Sequence, residues 1–203
     1  MIDDRYKEIK KNTTGLYKEK GSKFIAYAHP IYSKQEAKEK LEEIKKIEHS
    51  ARHHCYAYVL HPNKSIWRTN DDGEPLSTAG KPILGQIQSH DLTNTLIIVV
   101  RYFGGVKLGV SGLIRSYKSA ASIAITNATI ITKTIKEHYE VSFKYLDINI
   151  VMQLVKEFDL EVIDTDFQIE CKLIFAVSKS KSDMIENIFH RNHNLNIKNI
   201  KST

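Results

Sequence analysis

Residues Thr95–Phe103 form a nearly unbroken apolar run and lead straight into Gly104-Gly-Val-Lys-Leu-Gly-Val-Ser-Gly112. A run this apolar shows no alternation, so both faces of the strand need cover. It is therefore predicted to lie in the middle of a sheet with helices packed on it. Beyond the glycines the period changes to that of a helix, reaching about Ala128. Ile114, Tyr117, Ala121, Ala124 and Ala128 share an apolar stripe, and Arg115, Lys118, Ser122 and Thr126 lie on a polar side.

The remaining pattern fits around this centre. Thr14–Lys20 and Lys23–His29 read as strands joined by a Gly21-Ser22 turn. Ser33 and Glu36 form a capping box for a helix with Ala37, Leu41, Ile44 and Ile47 on one side. His53–Leu60 alternates as a strand, with Cys55, Ala57 and Val59 on one face and His54, Tyr56 and Tyr58 on the other. Ile66–Asn70 is a further strand, with the lone Trp67 as core or edge packing, and Pro82 suits the first turn of a short helix. After Thr132 the order β-α-β-β-α-β predicts a ferredoxin-like plan. The fold class is thus α+β in two domains, 1–134 and 135–203.

Charge separates the same two parts. Residues 1–134 hold 21 Lys/Arg against 13 Asp/Glu, whereas 135–203 hold 9 against 11. Between Leu92 and Lys136 there are six basic residues and no acidic one. Such a field favours nucleic acid, phosphates or an acidic protein surface, and otherwise serves solubility. With 41% apolar and 27% charged residues, the composition excludes extensive disorder. No apolar run approaches the ~18 residues of a membrane span, and the start lacks the apolar core of a secretory signal. Two distant cysteines argue against a disulfide framework. A cytoplasmic protein without cofactor or membrane partner is expected.

Three constellations are candidates for function. In the first, Arg101, Gly104, Gly105, Lys107, Gly109, Ser111, Arg115 and Lys118 surround a strand-to-helix junction. Glycines admit close backbone approach, and a helix start offers free N–H donors to an anion. The competing reading is a tight crossover, with Arg101 paired to an acid. In the second, Asp71, Asp72 and Glu74 either hold Mg²⁺ or act as acid and base, or form an exposed turn, the reading that turn chemistry favours. A further version has this loop salt-bridge and organise the basic one. In the third, His54, Tyr56 and Tyr58 line a sheet face able to stack bases, unless a helix covers it. Cys55 reads as a core thiol rather than a nucleophile.

Gly80-x-x-Ile-Leu, Ile98-Val-x-Arg101-Tyr-Phe-Gly-Gly-x-x-Leu108-Gly, Asp72-Gly-Glu-Pro-x-x-Thr78-Ala-Gly and Gly112-Leu-Ile-Arg-x-Tyr together resemble the signature of the IMPACT/YigZ family. The resemblance implies an N-terminal α/β sandwich like those of ribosomal proteins, ribonuclease PH and elongation factor G domain IV. It also implies a C-terminal ferredoxin-like domain like elongation factor G domain V. A non-catalytic RNA- or ribosome-binding protein that modulates translation is the leading expectation. A Mg-dependent enzyme on a phosphorylated or nucleotide substrate and a module docking an acidic protein partner are the alternatives.

Overall fold

The computed structural model describes residues 4–202, and the chain divides into two compact units. One is Tyr6–Lys133; the other runs from Thr134 onward and includes Asp4 and Arg5.

The first unit is built on five antiparallel strands in the order β2-β3-β6-β4-β5. They are β2 (Thr13–Glu19), β3 (Ser22–Pro30), β4 (His53–Leu60), β5 (Ile66–Asn70) and β6 (Thr95–Tyr102). The apolar run takes the central place, and every residue of β6 except Tyr102 is buried. One face packs on α2 (Gly80–Ser89) and α3 (Gly109–Thr126), burying Phe24, Cys55, Val99, Ile83 and Tyr117 in one cluster. The other packs on α1 (Lys34–Ile47), where Ala37 and Ile44 meet Tyr58, Leu96 and Ile98. Ser33 caps α1 as expected, its Oγ accepting from Glu36 N at 3.1 Å.

Three details differ from the sequence reading. The short strands β1 (Arg5–Ile9) and β7 (Ile130–Thr134) pair as a separate two-stranded sheet that periodicity did not reveal. Helix α3 begins at Gly109 rather than after Gly112, which turns its stripe. Leu113, Tyr117, Ala120, Ala121 and Ala124 face inward, and Ile114 is exposed. Trp67 takes the edge rather than the core alternative of its reading, largely exposed on the edge strand β5.

The second unit follows the order β8 (Lys136–Lys144), α4 (Ile148–Glu157), β9 (Glu161–Phe167), β10 (Glu170–Ser178), α5 (Lys179–His190), β11 (Asn196–Ser202). Its sheet order is β11-β8-β10-β9, all antiparallel. Val151 of α4 and Ile185 and Phe189 of α5 share one cluster with Tyr139, Leu173 and Phe175, so both helices cover the same face. No helix among the described residues is long and apolar enough to cross a membrane.

Candidate anion and nucleic-acid interface

Antiparallel pairing sets His53, the first residue of β4, opposite Arg101 near the end of β6. On the other side of β6, Phe24 lies opposite Arg101 and Lys23 opposite Tyr102. The register therefore collects basic and aromatic side chains at one end of the sheet. An open cavity of about 590 Å³ lies there, lined by Ser50, Arg52, His53, Arg101, Tyr102, Phe103 and Lys107. Among the described residues no carboxylate lines it.

Arg101 is nine-tenths buried, and its NH1 donates to Glu74 Oε1 at 2.7 Å. Tyr117 O–H donates to the same oxygen at 2.8 Å. The guanidinium also lies over the rings of Phe24 and Phe103, 5.7 Å from each centroid. Burying one charge alone would be strongly unfavourable, so the pair holds the acidic loop and the end of β6 together. Arg101 is thus an anchored residue of the cavity wall rather than a free cation. Its Nε still has no hydrogen-bond partner among the described residues.

The three acids of residues 71–74 do not converge. Asp71 accepts from Ser77 N at 2.9 Å, Ala79 N at 3.0 Å and Gly80 N at 2.8 Å, closing the start of α2. Asp72 accepts from His54 N at 2.7 Å, and Glu74 holds Arg101. No group of three metal-ligating side chains occurs among the described residues. The three acids thus make three separate contacts, and Glu74 ties the loop to Arg101 of β6. His53 Nδ1 lies 2.8 Å from Asp72 O; since a carbonyl only accepts, Nδ1 carries the proton.

The glycine tract is shaped by a close approach. A Cβ on Gly104 would lie 1.9 Å from Gly21 C, so only glycine lets the β2–β3 turn pack there, with Gly104 N donating to Ser22 Oγ at 3.1 Å. Gly105 and Gly109 have φ of +89° and +69°, which L side chains rarely adopt. Helix geometry leaves the N–H groups of Leu108, Gly109, Val110 and Ser111 without intrahelical acceptors. Leu108, at the N-cap, supplies no side-chain acceptor, and the first turn of α3 has no acidic residue. Lys107 is exposed and makes no ion pair among the described residues.

Arg115 is the seventh residue of α3, a turn farther from its start than expected, and lies 3.5 Å from Glu19. It therefore opposes the helix dipole little. Lys118, one turn on, is exposed on the same side.

The third constellation is largely covered, with only Tyr56 half-exposed. Helix α1 covers that face: Tyr58 is 5% exposed in its core and His54 is 7% exposed, with Nε2 3.2 Å from Glu48 O. Tyr56 and Tyr58 are stacked at 6.4 Å, but Tyr58 has no free face for a base. On the opposite side of β4, Cys55 is fully buried and its thiol donates to Asp71 O at 2.9 Å. Burial pushes that thiol far above its ordinary pKa, so it is no nucleophile. The exposed aromatic that lines the cavity is Phe103, which with Arg52 escaped the sequence reading. Its place directly after the central strand was the available signal.

Residues 20–125 match the family described as the Impact N-terminal domain. Bacillus subtilis (strain 168) IMPACT family member YvyE is 39% identical over 61% of this chain and 57% of its own length. Escherichia coli (strain K12) IMPACT family member YigZ is 31% identical over 80% of each chain. The crystal structure of a hypothetical protein matches 98% of this chain and 99% of its own, with TM-score 0.70 and 27% identity.

Proposed function

Since the chain belongs to the IMPACT family, we propose that it is a non-catalytic RNA-binding protein of the cytoplasm that modulates translation through the ribosome or its RNA. The observation that carries this reading is a cavity lined by Arg52, His53, Arg101 and Lys107 and, among the described residues, by no acid, beside a helix start whose N-cap residue Leu108 gives no side-chain cap. Backbone N–H groups at such a start favour an anion, and neighbouring cations strengthen the preference. Phosphate is the anion that a broadly basic unit would meet as a polymer. Arg115 and Lys118 extend the positive surface along α3. The second unit, with its β-α-β-β-α-β order, serves in this reading as a ferredoxin-like partner domain akin to those of translation factors. Such analogy supports the setting and not the chemistry.

Titrating RNA affinity against salt tests the reading. A site making about three phosphate contacts should lose roughly tenfold or more in affinity between about 50 and about 200 mM salt. Reversing Lys107 and Arg52 together, Lys107→Glu with Arg52→Glu, should flatten that dependence. Absent or salt-insensitive binding at low salt overturns the proposal. Capture of an acidic protein that survives nuclease treatment would favour the protein-docking alternative.

A further inference from the structure

The cavity contains more than charge. Phe103 is 59% exposed, although it follows a strand that is otherwise buried. A large aromatic ring exposed at the mouth of a cationic cavity is poorly explained by phosphate attraction alone. Its ring has the Arg101 guanidinium over it, and that cation is fixed from behind by Glu74 and Phe24. A ring held in this way is a prepared surface for stacking a flat partner. Tyr102 adds a second aromatic to the lining, its O–H donating to Glu48 Oε2 at 2.5 Å.

Building on the RNA reading, we propose that this cavity receives a single unstacked nucleotide of single-stranded RNA, with the base against Phe103 and the phosphate between Arg52 and Lys107. The cavity, at about 590 Å³, is within the range of small-ligand sites. Arg101 lines the same cavity while nine-tenths buried, so its guanidinium is a fixed part of the wall. A duplex is disfavoured as the ligand because its base faces are already stacked, leaving none for Phe103. An acidic peptide would satisfy Lys107 and Arg52 but leave the ring without a partner.

The test uses the full chain, a short single-stranded RNA carrying 2-aminopurine, and the same RNA as a duplex. Binding of the single strand should quench the probe and should be tighter than binding of the duplex. Phe103→Leu keeps an apolar side chain but removes the π face; the position is exposed, so the unfolding midpoint should fall only slightly, through loss of the Arg101 contact. The variant should lose single-strand affinity about five- to a hundredfold and abolish quenching. Its salt slope and its duplex affinity should not change. If RNA binds with normal salt dependence but Phe103→Leu is silent, the nucleotide pocket is refuted and the RNA reading stands. If neither RNA form binds at low salt, the RNA reading itself fails.

Discussion

The two helices that pack against each other on one face of the central sheet begin in opposite ways. At α2 the chain supplies its own anion: Asp71 accepts three backbone N–H groups from Ser77, Ala79 and Gly80. At α3 the N-cap is Leu108, there is no acid in the first turn, and Lys107 stands immediately before it. Both starts carry the same electrostatic demand, because both expose unpaired N–H groups and the positive end of a dipole. The difference is one of supply. Where the acidic loop must be held, the protein meets the demand internally; beside the cationic cavity it leaves the demand unmet, and the proposed RNA site rests on that contrast.

The largest effect is expected from the joint between the two starts. Glu74→Gln keeps the shape and the contact with Tyr117 but leaves Arg101 as a buried charge without its counter-ion. Loss of one partner of such a pair should cost about 3 kcal/mol. Urea unfolding should show it as a lower midpoint with an unchanged slope. A shift worth under about 1 kcal/mol, the scale of a surface pair such as Arg115–Glu19, would mean that the pair does not hold the loop to the sheet. The next effect belongs to the closed start alone. Asp71→Asn removes the charge that three amides share and should cost about 1–2 kcal/mol. Amide exchange at Ser77, Ala79 and Gly80 should accelerate while RNA affinity stays the same. A loss of RNA affinity comparable to that of Lys107→Glu would show that the two starts are not independent.

These expectations also mark how far the sequence could be read. Strand β6, the Ser33 cap of α1 and the β-α-β-β-α-β order were legible because each is written in local periodicity or adjacent residues. The acids were legible as a cluster but not as three separate contacts. Asp71 caps a helix that begins beyond an intervening turn, and Glu74 finds Arg101 only through the tertiary fold. Arg52 and Phe103 become neighbours in the cavity because β4 and β6 pair with His53 opposite Arg101, a register that no local pattern specifies. Conversely, His54 and Tyr58 looked like a surface because alternation gives a face but not what covers it; α1 covers it. The stripe on α3 was misphased at Ile114 because glycines were read as loop, although Gly109 and Gly112 lie within the first turn of the helix.

The sharpest manipulation of the contrast closes the open start. Val110 is the second residue of α3 and is 58% exposed, so replacing it disturbs little packing. Val110→Asp places a carboxylate in the first turn, where it complements the free N–H groups and the dipole. The gain should be small, about 0.3–1 kcal/mol, and visible as a modest rise in the unfolding midpoint. The same carboxylate competes with phosphate for those donors and repels it, so RNA affinity should fall even as stability rises. That opposite movement separates a site kept open for a ligand from a helix end that merely lacks a cap. If stability rises and RNA affinity is unchanged, the uncapped start of α3 contributes nothing to binding, and the cations of the cavity must act alone.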